Sequence, residues 1–258
     1  MFKLLLEVHE VTKQFGGLTA VDTINLNIKK DELIGLIGPN GAGKTTFFNL
    51  LTGVYEPTSG YIKLLGEDIT GQKPYRITEK GMARTFQNIR LFKDLSVLDN
   101  VRVAKIFNTD YGIFDSIFRT KKFYKEEIRV RKEAEELLDR FGLLKKMDLP
   151  AHSLPYGEQR KLEIVRALAT NPKLLLLDEP AAGMNPQETT ELMDLIKKVK
   201  NDFDISILLI EHDMKFVMSL CERIAVLDYG KIIALDTPEK IKNNKKVIEA
   251  YLGEVEED

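Results

Sequence analysis

The chain has 258 residues, 43% of them apolar and 30% charged, with a formal net charge of −2. That balance suits one elaborated globular domain and excludes a disordered or fibrous chain. Lysines and arginines are spread along the whole length without a basic block, which excludes a nucleic-acid footprint, and the lone Cys221 excludes an internal disulfide framework.

The start, Met1-Phe2-Lys3-Leu4-Leu5-Leu6-Glu7, meets charge too soon for a signal segment, and no run approaches the roughly 18 apolar residues of a membrane span. Work at a membrane therefore needs another polypeptide to supply the span. Ile24, Leu26 and Ile28 alternate with Asn25, Asn27 and Lys29, and Ile62 and Leu64 alternate likewise. That is the period of strands with one polar face. Leu33 to Ile37 is continuously apolar and ends in Gly38, as expected of a strand buried on both faces. A helix is expected from Thr45 to Leu51, closed by Gly53.

Residues 91–170 read as a mostly helical insert. Val130, Ala134, Leu137, Leu138 and Phe141 mark one helix face, with Gly142 as its stop. Asn108 to Phe123 shows no clean period and receives no assignment. The α/β rhythm then returns: strands at Leu174 to Leu177 and Ile205 to Ile210, helices at Glu188 to Lys200 and Met214 to Cys221. Arg223 to Asp228 and Lys231 to Leu235 flank Tyr229-Gly230 as a hairpin. Residues 236–258 are expected as a C-terminal tail, acidic at its end. Strands alternating with helices give an α/β fold with a largely parallel sheet covered on both sides. Cys221 sits among Val217, Met218, Leu220 and Ile224, a packing position.

Gly38-Pro39-Asn40-Gly41-Ala42-Gly43-Lys44-Thr45 fits the P-loop pattern, after a buried strand and before a helix. The glycines let backbone N–H groups curl around phosphate, and the helix points its positive end at the same place. Lys44 can reach the β- and γ-phosphates and Thr45 can ligate Mg²⁺, with Thr46 beside it. Leu174 to Leu177 ends in Asp178 and Glu179, which brings Asp178 to the Mg²⁺ side of the sheet edge and Glu179 to the attacking water.

In this motif order the chain resembles the ATP-binding subunits of ABC transporters over nearly its whole length. The resemblance implies a single ABC ATPase domain over 1–258. Its P-loop NTPase core (1–90 and 171–235) has a mixed, mainly parallel sheet flanked by helices, an N-terminal antiparallel β subdomain, and a helical subdomain at 91–170. It implies that Phe15 stacks on adenine, that Gln87 contacts Mg²⁺ and water, and that His212 stands near the γ-phosphate. His9 and His152 read as structural. The signature departs from the family's Leu-Ser-Gly-Gly-Gln: here it is Leu154-Pro155-Tyr156-Gly157-Glu158, with a helix expected just after Gly157. Pro155, Tyr156, Gly157 and Glu158 would act in trans on a partner's ATP. The D-loop Ala182-Gly183-Met184-Asn185 ends in Asn where Asp is usual.

The departures, together with Phe15-Gly16-Gly17-Leu18, Ala83-Arg84-Thr85-Phe86-Gln87-Asn88 and Glu211-His212-Asp213-Met214, resemble the first ATPase subunit of branched-chain amino-acid importers. Importers of urea and amides are similar, and soluble ABC ATPases and P-loop kinases are further classes. The resemblance implies ATP and Mg²⁺, permease partners, a second ATPase subunit in a heterodimer rather than a homodimer, and, indirectly, a solute-binding protein. It also implies peripheral attachment to the cytoplasmic face of the membrane.

Overall fold

A computed structural model describes residues 4–106 and 109–252. The extreme N-terminus, Asn108 and the acidic C-terminal end lie outside the described residues. In chain order the elements begin with β1 (Leu4–Phe15), β2 (Leu18–Lys29), β3 (Leu33–Ile37), α1 (Lys44–Leu51), β4 (Ser59–Leu64), β5 (Glu67–Asp68), α2 (Pro74–Glu79) and β6 (Met82–Arg84). Four helices follow: α3 (Val97–Lys105), α4 (Ile113–Phe118), α5 (Lys121–Arg140) and α6 (Tyr156–Leu168). The chain closes with β7 (Leu174–Asp178), α7 (Pro186–Phe203), β8 (Ser206–Ile210), α8 (Met214–Leu220), β9 (Arg223–Asp228), β10 (Lys231–Asp236), α9 (Pro238–Lys242) and α10 (Lys245–Leu252). It divides into two compact units, Met1–Arg84 with Lys173–Asp258, and Thr85–Pro172.

The first unit holds both sheets. One is antiparallel, in the order β2-β1-β4-β5, and the other runs β10-β9-β3-β8-β7-β6. In the second sheet β3, β6, β7, β8 and β9 are parallel and only the edge strand β10 is antiparallel. Every residue of β3, β7 and β8 is buried, as the unbroken apolar runs require of strands covered on both faces. In β2 the alternation also holds: Ile24, Leu26 and Ile28 are buried and their neighbours are not. Tyr229 and Gly230 both have positive φ, which gives the β9–β10 hairpin a turn with the twist that antiparallel strands favour.

The register fixes where the chemistry can sit. Leu36 of β3 pairs with Ile210 of β8, and Asp178 of β7 pairs with that same Ile210. The loops that leave these three adjacent strands therefore emerge side by side at one sheet edge, the usual ligand position in open α/β sheets.

One unassigned stretch now has a structure and one expectation needs correction. The stretch without a clean period contains α4 and the start of α5; α4 is six residues long, too short for its apolar residues to set a period, and it buries none of them. Residues 236–252 are not a plain tail: they form α9 and α10, with Ile241 and Val247 buried. Within the second unit, Val130, Ala134, Leu137 and Leu138 of α5 are buried as their spacing demands.

Candidate functional site

The P-loop closes because two of its glycines adopt conformations that other residues rarely reach. Gly38 has φ 156° and Gly43 φ 103°, and a Cβ on either would collide with a backbone carbonyl, of Leu227 or of Ala20. At Gly41 (φ 80°) the space a Cβ would fill is open. The N–H of Ala42 donates to the Pro39 carbonyl. The β9–β10 turn braces the loop from behind, with Gly230 N–H donating to the Ala42 carbonyl at 2.9 Å. Lys44 opens α1 and is buried, its Nζ donating to the carbonyls of Gly38 (2.7 Å) and Pro39 (2.9 Å). Burial lowers its pKa and the nearby Glu179 carboxylate acts in the opposite direction. Thr45 is exposed and Thr46 half-buried on the first turn of α1. The Tyr251 phenol of α10 meets the Gly38 backbone, and burial pushes it up to about 12.

Asp178 ends β7 in an ion pair that the sequence did not announce. Its Oδ2 accepts from Arg84 Nη2 at 2.6 Å, and both side chains are almost wholly buried. Arg84 Nη1 reaches Asn49 Oδ1 (2.8 Å) and Thr52 Oγ1 (3.2 Å), so the guanidinium clamps β7 and β6 to α1. A carboxylate offers about four acceptor sites, so the pair leaves capacity for a second cation. Among the described residues no group of three or more His, Cys, Asp or Glu could hold a metal alone. Mg²⁺ asks for less: one or two hard protein oxygens plus substrate phosphates suffice. Thr45 and Asp178 are donors of that kind.

Glu179 follows with φ 43°, left-handed backbone on a non-glycine residue at the site itself. Its N–H donates to the Ile210 carbonyl, which ties the end of β7 to that of β8. His212 Nδ1 lies 3.6 Å from Glu179 Oε2, an electrostatic contact too long for a direct hydrogen bond. Beside His212 sits Glu211, overlooked as a functional residue in the sequence. It is 1% exposed, accepts from the Ala181 N–H at 2.8 Å and stands 3.8 Å from His212 Nδ1. Burial raises its pKa. The charged form is thus disfavoured in the fold, a cost present in full above the folded-state pKa that vanishes as pH falls towards the unfolded value. Glu211→Gln keeps an acceptor for Ala181 and removes that cost. Its melting temperature is expected to exceed wild type at pH 8, with the gap closing towards pH 5; a scan of melting temperature against pH checks this.

Phe15 ends β1, partly exposed, edge-to-face with Tyr55 at 5.2 Å and with Lys13 Nζ 5.1 Å from its ring centroid. The D-loop Asn185 caps α7, its side chain accepting from Glu188 N–H while the Glu188 carboxylate accepts from Asn185 N–H. Asn here is a good helix cap.

Gln87 and the signature residues belong to the second unit. Arg160 of α6 is fully buried and donates to the carbonyls of Phe86 (2.7 Å) and Gln87 (2.8 Å) and to Glu163 (2.8 Å). Glu163 in turn accepts from the N–H groups of Phe86 and Arg90. The backbone at Gln87 is thus anchored to the signature helix by one buried ion pair. Pro155 caps α6, which begins at Tyr156 rather than after Gly157, so Tyr156, Gly157 and Glu158 form its first turn. Pro155 stands at the N-cap with an extended ψ of 153°, and having no N–H it leaves no donor unpaired there. Glu158 is paired with Lys146 at 2.6 Å.

Residues 21–182 match the family model described as ABC transporter. The chain belongs to the ABC transporter ATP-binding family. It is an ABC ATPase, binding and hydrolysing ATP. Residues 231–257 of this ABC ATPase match a second model, described as branched-chain amino acid ATP-binding cassette transporter. The chain is 45% identical to a high-affinity branched-chain amino acid transport ATP-binding protein of Pseudomonas aeruginosa, over 98% of its own length and 100% of that protein. It is 46% identical to one of Escherichia coli strain K12, over the same shares. A solved ATP-binding cassette of an ABC transporter in its ADP conformation superposes with a TM-score of 0.83 at 33% identity, covering 97% of this chain and 99% of that one. The expected fold is borne out.

Proposed function

We propose that this ABC ATPase is the motor of an importer of branched-chain amino acids. The observation that carries the reading is the full-length identity to transport proteins so named, joined by the match of the C-terminal strand and helices. The strand β10 and helices α9 and α10 lie outside the catalytic motifs, so their match reports kinship closer than shared ATPase chemistry.

In this reading the P-loop backbone and Lys44 bind the phosphates, with Lys44 leaving the Gly38 and Pro39 carbonyls for the β- and γ-phosphates. Phe15 gives adenine a flat apolar face. Thr45 and Asp178 would hold Mg²⁺, which when bound neutralises charge on the phosphates. Glu179 orients and polarises the attacking water, and His212 sits within electrostatic reach to hold that carboxylate's geometry. The first turn of α6, with Pro155, Tyr156, Gly157 and Glu158, faces the γ-phosphate of a partner's ATP through a helix N-terminus. It lacks the serine hydroxyl and one glycine, which favours a second ATPase subunit with a complete signature over a homodimer.

No helix among the described residues is long and apolar enough to cross a membrane. Permease subunits would hold the ATPase at the cytoplasmic face, with a solute-binding protein delivering cargo to them. The test is reconstitution with the cognate permeases and second ATPase, measuring uptake of labelled leucine and of urea. Leucine uptake that needs ATP supports the reading; urea uptake alone would move the protein to the amide class. ATPase activity of the isolated chain is expected to be weak and to rise on adding the second subunit. High activity without a partner, quadratic in enzyme concentration, would establish a working homodimer.

A further inference from the structure

The second unit carries an apolar face that none of the described residues covers. Ile113, Phe114, Ile117 and Phe118 of α4 are between 64% and 81% exposed. Their spacing places all four within one arc of the helix, and the Phe114 and Phe118 rings touch with centroids 4.4 Å apart. Tyr124 and Ile128 of α5 are also exposed, on the helix face that bears Lys121 and Lys125.

Positive charge crowds the same short stretch. Arg119, Lys121, Lys122 and Lys125 have no carboxylate in ion-pair contact among the described residues, whereas the neighbouring acids are engaged. Asp115 accepts from Thr120 Oγ1 (2.7 Å) and Gly112 N–H, Glu126 pairs with Arg129, and Glu127 pairs with Arg102. Lysines in the first turn of α5 oppose the helix dipole, so stabilising that helix does not account for them. The polar groups of α4 are likewise spent inside the molecule, Ser116 donating to the Gly112 carbonyl. What remains outward is an aliphatic and aromatic surface with cations beside it and, among the described residues there, no carboxylate free to meet a basic partner. A protein partner would be recognised poorly by such a surface. A lipid interface, apolar below and anionic at the headgroups, complements both features at once.

We propose that α4 and the first turns of α5 form a foot that seats on an anionic lipid surface. The contact is independent of ATP and would add to whatever hold membrane subunits provide.

The test is co-sedimentation of the full chain with vesicles of phosphatidylcholine alone and of phosphatidylcholine mixed with phosphatidylglycerol. Binding is expected to the anionic vesicles at low salt, to fall as salt screens the charges, and to be far weaker on neutral vesicles. Removing charge in Lys121→Ala with Lys122→Ala should cut partitioning about fivefold per cation. Phe114→Ser with Phe118→Ser should lower it by roughly tenfold or more, through lost insertion. Unchanged ATP hydrolysis by these variants shows that the fold is intact, since none of these residues lies in the catalytic machinery. Absence of binding to anionic vesicles, indifference to the substitutions, or binding only where permease is present would overturn the proposal.

Discussion

ATP hydrolysis by Glu179→Gln is expected to fall on the order of a hundredfold or more, with ATP still bound. Glu179 hangs from a left-handed residue at the end of β7, pinned by its N–H on Ile210, so its carboxylate has little freedom to relocate. The amide keeps the shape but cannot draw a proton from water or attract His212 as a carboxylate does. Lys44 and the glycine loop are untouched, so nucleotide affinity should stay near wild type. Steady-state hydrolysis alongside equilibrium binding of ATP separates the two effects. Hydrolysis near wild type would remove Glu179 from the mechanism.

Arg84→Met is expected to produce the largest loss of stability. It strands the Asp178 carboxylate, which is 7% exposed, without its partner. Breaking a buried pair from one side costs about 3–5 kcal/mol, whereas replacing both partners by apolar residues is often close to neutral. The expected drop in melting temperature is on the order of 10 °C. Arg84→Met with Asp178→Leu should recover most of it while remaining inactive. Thermal unfolding of the wild type, the two single variants and the double variant checks this. A double variant no more stable than Arg84→Met would mean that Arg84 acts through Asn49 and Thr52 rather than through the pair.

Much of the fold was legible because its central strands are buried on both faces and so read as unbroken apolar runs. Leu33 to Ile37 and Leu174 to Leu177 need no partner to identify them, and each ends in the residues that carry chemistry. The P-loop was legible for a related reason: its glycines meet a local backbone demand within a few residues. The insert was harder. α4 spans only six residues, too few for its apolar residues to set a period, and the end of the chain read as tail because α9 and α10 bury only isolated side chains such as Ile241 and Val247.

Local sequence determined which residue types could bind phosphate and which strands would deliver them. Only the tertiary structure decided the pairings that hold them. Arg84 meets Asp178 across 94 residues, Arg160 holds the Phe86 carbonyl across 74, and Glu211 holds Ala181 across 30. A charged residue looks the same in sequence whether solvated or buried. Its role is set when strand register and helix packing exclude water and leave it only the partners within reach, and that exclusion belongs to the folded chain alone.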